Sequence, residues 1–225
     1  MGEKDHVVLA PSIPELLHAD YVREQSFMLS GDSENNPMSV LLKRVESQVW
    51  SGGIYTRPET RIVLAMLALS MNAEDILETG YDAANTTEAF ALTGAKNIVA
   101  IDKMTEYMGT EPGARKLMEQ YENVTLHNGD ALLFLKNCDP LSWDFMFIDD
   151  DHSHMHVAEE CEEVDRILRP GGMVCFHDTI SRGLWDVACG HLPKSYQRIE
   201  IPCIQVTMKH AGEDFGVGIF RKPKE

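Results

Sequence analysis

The sequence predicts an α/β domain: a mostly parallel sheet with helices on both faces, made mixed by an antiparallel hairpin at its C-terminal edge. Three observations predict it. From Arg57 onward, helical and extended apolar patterns alternate, which is the order that builds a parallel sheet. Two of the extended runs, 145–148 and 173–176, are apolar at nearly every position, as strands covered on both sides are. The last two, 197–206 and 215–221, are separated by the polar stretch 209–214 and no helix, so they pair antiparallel.

The elements follow in order. Pro58 suits the first turn of a helix, where its missing N–H costs nothing, and 62–69 continues that helix as a strongly apolar run. Residues 75–78 form a short strand that ends in Thr79-Gly80. Residues 86–93 read as a helix closed by Gly94, which can turn left-handed at a helix end without a Cβ clash. A strand over 97–102 ends in an acid, a helix covers 113–121, and a strand covers 124–127. Gly129 and Asp130 then lead into a short helix over 132–135. A buried strand over 143–149 ends in acids. The helix 157–168 is stopped by Arg169-Pro-Gly-Gly172, and a strand over 173–177 ends at Asp178.

Residues 1–55 differ from this pattern. They carry Pro11, Pro14, Pro37 and the polar stretch 31–37, with helical spacing only at Val40, Leu41, Val45 and Val49. The stretch lacks the apolar content to fold alone. It reads as an arm or lid on a domain spanning 56–225, with Tyr21, Phe27, Met28 and Trp50 packing on that domain.

Bulk properties narrow the function. The 225 residues suit one sizeable core. No apolar run reaches the roughly 18 residues that span a bilayer. The first six residues lack the basic and apolar blocks of a signal peptide, so a cytoplasmic protein is expected. Lys and Arg total 20 against 36 Asp and Glu, and the net charge of −16 repels phosphate backbones and anionic membranes. Neither nucleic acid nor membrane is expected as a partner, and homodimerisation is left open. The five cysteines are odd in number with no Cys-x-x-Cys pair, which argues against a disulfide framework or zinc ribbon.

The informative feature is where the acids fall. Ligands of open α/β sheets bind beyond the carboxyl ends of the strands. Glu78, Asp102, Asp130, Asp149 and Asp178 each lie at or just past such an end. Any one of them could be a helix cap or a solvated turn residue; five in step with five strands point to one carboxylate-rimmed crevice. Asp102 stands 22 residues after Gly80, the spacing at which an acid accepts hydrogen bonds from an adenosine ribose. The loop between them decides which adenosine compound fits. A dinucleotide site needs Gly-x-Gly-x-x-Gly, so that a pyrophosphate can rest on the helix N-terminus. Here the loop is Glu78-Thr-Gly-Tyr-Asp-Ala-Ala-Asn-Thr86, with Gly80 alone and Asp82 where the pyrophosphate would sit. A cationic, phosphate-free cofactor tolerates that acid better than NAD does.

At these residues the chain resembles the class I S-adenosylmethionine-dependent methyltransferases. Glu78-Thr-Gly80 is similar to the family's first motif, with Asp82 and Ala84 at its second and third glycine positions, a departure that suggests a less close approach of the loop to the cofactor. Ile101-Asp102 is similar to the ribose-binding motif, Asn128-Gly-Asp-Ala131 to the adenine-contacting segment, and Leu168-Arg-Pro-Gly-Gly-Met173 to the segment that introduces the fifth strand. The resemblance covers about residues 56–221. It implies a Rossmann-like seven-stranded sheet, S-adenosylmethionine as cofactor, and cofactor contacts from Glu78, Gly80, Tyr81, Asp102, Lys103, Asp130, Ala131 and Asp149. In similar enzymes the segment Tyr55-Thr-Arg-Pro-Glu59 borders the methionine end of the cofactor; a plain helix start explains it equally well.

Phe147-Ile-Asp-Asp-Asp-His152 resembles a segment of the metal-dependent catechol and caffeoyl O-methyltransferases, and one of small-molecule methyltransferases of antibiotic and sugar tailoring. That resemblance implies magnesium held by Asp149, Asp178 and Thr179, the last standing where the group has Asn. It also implies catalytic roles for Asp149 and for His152, which lies where the group has a proposed basic lysine; a structural role for this histidine stays open. His152, His154 and His156 recur at every second position, a spacing that sends helical side chains to different faces and argues against joint ligation. His177 faces either a helix layer or the crevice. The expected reaction is methyl transfer to a hydroxyl of a small molecule, since the charge disfavours nucleic acid and no Asn/Asp-Pro-Pro-Tyr/Phe motif for amino groups is present. The alternatives are a nicotinamide-dependent oxidoreductase of similar topology and a methyltransferase-like binding module without activity.

Overall fold

The computed structural model describes residue 56 and residues 58–103, 111–201 and 215–224. The expected arm over 1–55 and the loop over 209–214 lie outside them. The described elements run α1 (Pro58–Ser70), β1 (Asp75–Thr79), α2 (Asn85–Ala91), β2 (Asn97–Asp102), α3 (Glu111–Met118), β3 (Val124–Asn128), α4 (Ala131–Asn137), β4 (Trp143–Ile148), α5 (His154–Ile167), β5 (Leu168–His177), α6 (Leu184–His191), β6 (Gln197–Ile201) and β7 (Val217–Arg221). The strands form one seven-stranded sheet in the order β3-β2-β1-β4-β5-β7-β6. The first five are parallel, and β7 runs antiparallel to both β5 and β6. The fold is therefore the mixed α/β sheet that the sequence predicts, with its antiparallel hairpin at one edge.

Side chains alternate across the strands, and both faces of the central strands are buried. Ile76, Ile98, Phe145, Phe147, Met173 and Cys175 pack with Leu64 and Leu67 of α1 and Phe90 of α2. Leu77, Val99, Met146, Ile148, Val174 and Phe176 pack with Val157, Cys161 and Val164 of α5, Leu184 and Ala188 of α6, and Leu135 of α4. Phe90 meets Phe145 edge to face at 5.6 Å. Each of these rings, fully buried, contributes about 1.5–3 kcal/mol. At the amino end of the sheet, Asp144 accepts hydrogen bonds from the backbone N–H groups of Glu74 and Asp75, and Arg169 pairs with Asp75 and Asp144 at 2.8 Å. These polar ties lock β1, β4 and β5 at the end away from the crevice.

Several boundaries move, and one helix is new. Helix α5 starts at His154, three residues before the expected 157. Strand β5 starts at Leu168 and carries the Pro-Gly-Gly segment as an irregularity, with the register shifting between Trp143 and Phe145 of β4. Helix α6 has no counterpart in the sequence reading. It starts from Gly183 with φ +66° and contains Gly190, so its helical signal is weak.

Candidate active site

The sheet reverses its strand order between β1 and β4, with β2 and β3 to one side and β5 to the other. Ligands of such sheets sit beyond the carboxyl ends at this point. Here the two chains are pressed together. The Asp149 N–H donates to the Thr79 carbonyl at 2.9 Å and the Gly80 N–H to the Ile101 carbonyl at 2.8 Å. A Cβ on Gly80 would lie 2.0 Å from the Asp149 carbonyl oxygen, and Gly80 holds φ +79°. Only glycine fits.

The loop after β1 bends through Gly80, Asp82 and Ala84, with φ of +79°, +39° and +60°. All three residues at the glycine positions of the resembling motif are thus left-handed. The loop keeps a glycine-like path although two glycines are missing, at a cost of about 1–2 kcal/mol for each side chain so placed. The Asp82 N–H donates to Asp102 Oδ2 at 2.8 Å and so fixes that carboxylate at the end of β2 beside the loop. Burial, together with the nearby charges of Asp82, Asp150 and Asp149, raises the Asp102 pKa in spite of this hydrogen bond.

Glu78 is fully buried on the α1–α2 face, where Thr87 Oγ1 donates to its Oε2 at 2.6 Å. Burial, with smaller contributions from Asp149 and Asp102, pushes its pKa up to about 8 against the pull of Thr87. Tyr81 is 3% exposed and packs with Ala84, Ala100, Ala114 and Met118. Its ring belongs to the core. Asp130 caps α4, accepting from the Leu133 N–H at 2.9 Å, and pairs with Lys103 at 2.6 Å. Ala131, the first residue of that helix, is buried.

A second constellation stands at the ends of β4 and β5. Asp149, His152, His177 and Asp178 each offer a ligand atom within 4.8 Å of the others. His177 Nδ1 lies 3.0 Å from Asp149 Oδ1, and His152 Nε2 lies 2.8 Å from Asp178 Oδ2 and 3.4 Å from Asp149 Oδ1. Thr56 donates to Asp149 Oδ2 at 3.0 Å, and Ser181 to Asp178 Oδ1 at 2.7 Å. Phe215 stacks on His177 at 6.1 Å. Burial works to raise Asp149, but the charges and hydrogen bonds of His177 and His152 override it and hold its pKa down to about 2. Hydrogen bonds to Asp149 and Asp178 hold His152 up at about 10 against its partial burial. His177 is raised as well, Asp149 outweighing the burial that would lower it.

Sequence reasoning left His177 open and named Thr179 as the third oxygen ligand. The structure brings His177 into the group. Thr179 is instead 1% exposed, with its Oγ1 packed so closely to Gly216 that a Cβ there would stand 2.6 Å away. The donor set is thus two carboxylates and two imidazoles. His154 turns elsewhere, to the Arg182 carbonyl at 2.8 Å, and His156 to Asp150 at 3.1 Å, so the three alternating histidines do diverge. Among the described helices, none is long and apolar enough to cross a membrane. Arg57 and Tyr55 lie outside the described residues.

Residues 77–179 match the model of a family described as a methyltransferase domain. No curated protein matches the sequence. Solved structures share the fold at low identity. The O-methyltransferase TomG of Streptomyces achromogenes, involved in tomaymycin synthesis and solved with S-adenosylmethionine, has a TM-score of 0.60 at 15% identity over 90% of this chain and 95% of its own. The O-methyltransferase of Bacillus cereus, solved with S-adenosylhomocysteine, has a TM-score of 0.58 at 16% identity over 89% and 97%. The N-methyltransferase NodS of Bradyrhizobium japonicum has a TM-score of 0.53 at 19% identity over 73% and 95%. The domain match covers 103 of the 225 residues, and the solved structures share the fold.

Proposed function

We propose that this chain is a class I methyltransferase that moves the methyl group of S-adenosylmethionine to a hydroxyl of a small molecule, with a divalent metal held by Asp149, His177 and Asp178. The observation that carries the cofactor assignment is the adjacency of Gly80 and Asp102. They lie side by side beyond neighbouring parallel strands, and the loop from one donates to the carboxylate of the other. A ribose fits between a left-handed loop and an acid so placed. The carboxylates of Asp102 and Asp82 favour a sulfonium and an ammonium and oppose a pyrophosphate, which argues against the nicotinamide alternative.

In the transfer, the acceptor oxygen attacks the methyl carbon, the carbon–sulfur bond breaks toward the sulfonium sulfur, and the hydroxyl proton leaves the oxygen. The protein aligns oxygen, carbon and sulfur and takes up the proton. A divalent ion would lower the pKa of a bound hydroxyl. The donor set fits one: two carboxylates suit any divalent ion, and the His177 imidazole favours manganese, iron, cobalt or zinc over the magnesium implied by the sequence resemblance. His152, clamped by Asp149 and Asp178, is an imidazolium at neutral pH in the metal-free protein. In that state it orients the two carboxylates and cannot accept a proton. It becomes a base only when the charge of its partners is neutralised.

Two measurements test the cofactor assignment. Calorimetric titration should show binding of S-adenosylmethionine and S-adenosylhomocysteine and none of NADH. Asp102→Ala should weaken that binding by about 1.5–3 kcal/mol, the worth of a charged hydrogen bond, or roughly 10- to 150-fold; unchanged affinity would exclude the ribose role. Glu78 supplies a second readout. With its pKa at about 8, it keeps its proton at pH 7 in the free protein. A cationic cofactor lowers that pKa, so binding at pH 7 should release up to one proton, measured from the dependence of binding enthalpy on buffer ionisation. Glu78→Gln should abolish the release. In the free protein the folded state holds this proton between pH 4.5 and about 8, where the unfolded chain has lost it, so stability falls as pH rises through that window. Glu78→Gln should remove this slope; a wild-type slope in the variant would contradict the assignment.

A further inference from the structure

Asp150, His156 and Glu160 form a second group of ligating side chains that the methyl-transfer reading does not use. Asp150 Oδ2 stands 3.1 Å from His156 Nε2, and His156 Nε2 stands 3.7 Å from Glu160 Oε1. One ligand atom from each of the three lies within 4.8 Å of the other two. His156 and Glu160 are four residues apart on α5, so both project from one face of that helix. Asp150 is presented from the end of β4, with its Oδ1 accepting from Thr79 Oγ1 at 3.2 Å.

Glu160 makes this more than a surface cluster. Its side chain is 0% exposed, and neither carboxyl oxygen has a hydrogen-bond partner. An acid in that condition costs several kcal/mol, and helix neighbours at the same depth are Val157, Cys161 and Val164. Asp130 and Asp151 add further negative potential from the neighbouring loops. His156 is the one basic side chain seated between the two carboxylates among the described residues. An unpartnered buried carboxylate, aimed at an imidazole that is already shared with a second carboxylate, is what a cation site looks like without its cation.

We propose that Asp150, His156 and Glu160 bind a second divalent cation, separate from the one at Asp149, His177 and Asp178. One imidazole and two carboxylates form a set that suits zinc, manganese, iron(II) or cobalt(II). The two sites share no ligand, because the consecutive acids diverge: Asp149 turns to β5 and Asp150 turns to β1 and α5. A cation there ties α5 to the strand ends that carry the cofactor loop and satisfies the Glu160 carboxylate.

The test is a cobalt(II) titration of the chelator-treated full chain, read by the visible absorption of bound cobalt and by metal analysis after desalting. The wild type should bind two ions per chain. Asp178→Asn, which disables the first site, should keep one ion. His156→Gln and Glu160→Gln should each lose one ion and keep the ion at Asp178, and the double variant Asp178→Asn/His156→Gln should bind none. Asp150→Asn and His156→Gln change partly exposed groups, so they keep the test readable if Glu160→Gln does not fold. The proposal is overturned if His156→Gln binds as many ions as the wild type, or if Asp178→Asn abolishes all binding. A wild type that binds a single ion, kept in Asp178→Asn and lost in His156→Gln, would count against the metal at Asp149 alone.

Discussion

Gly80→Ala is expected to lower the stability of the folded chain by about 2–5 kcal/mol and to remove cofactor binding. Two costs add. The residue holds φ +79°, where a Cβ costs about 1–2 kcal/mol. The new methyl would also stand 2.0 Å from the Asp149 carbonyl oxygen, 2.4 Å from its carbon and 2.8 Å from the Asp150 Cα. All three are backbone atoms that no rotamer change can move, and forcing such a contact apart costs a further 1–3 kcal/mol or so. The displaced segment carries Asp149 and Asp150, so the damage reaches the acids as well as the loop. Gly94→Ala separates the two costs. Gly94 has the same φ of +79° and nothing within 4 Å of a Cβ, so it should lose only about 1–2 kcal/mol. Denaturant midpoints of the two variants, with titrations of S-adenosylmethionine, give the comparison. Equal losses would mean that the close approach of β1 and β4 has no energetic weight.

That close approach marks the border of what could be read from the chain. The sheet, its order of strands, the helices other than α6, and the row of acids at the carboxyl ends follow from period and composition, because a strand buried on both faces has little freedom in its residues. Asp102 beside Gly80 was legible for the same reason, since adjacent parallel strands bring their ends together. The loop was harder. Two missing glycines suggest a path held away from the cofactor, yet Asp82 and Ala84 accept left-handed backbone conformations. Strain of this kind persists where surrounding structure over-determines it, and here the Asp102 carboxylate holds the Asp82 N–H. His177 escaped for a different reason. Strand alternation sends consecutive residues to opposite faces, and the pattern alone left His177 facing either a helix layer or the crevice. The turn at Asp178, with φ +55°, swings the acid back beside the histidine. The Asp150, His156 and Glu160 group was hidden by a boundary. Starting α5 at 157 leaves His156 outside the helix and conceals its one-turn pairing with Glu160; starting it at His154 reveals the pair.

Asp149→Ala carries the largest expected effect on chemistry. Its carboxylate is where the constellation converges: Thr56 and His177 hold it at 3.0 Å, and His152 lies at 3.4 Å. Removing it takes away one of two carboxylates and leaves two imidazoles facing Asp178 alone. A metal contributes several kcal/mol to stabilising the charge on a reacting oxygen. A loss of about 4 kcal/mol corresponds to roughly a thousandfold in rate. Metal-dependent methyl transfer in the variant should therefore fall by about that factor or below detection. The affinity for S-adenosylhomocysteine should change far less, because Gly80 and Asp102 remain in place. The histidines provide an independent check. Asp149 raises both of them in the metal-free protein, His152 to about 10, so in Asp149→Ala both should titrate closer to the usual imidazole range. NMR titration of the ring protons reads this without turnover. A variant that keeps wild-type activity while its histidines shift would show that the cluster is an ion-pair network that braces β4 against β5, and that the acceptor hydroxyl is activated without a metal at this position.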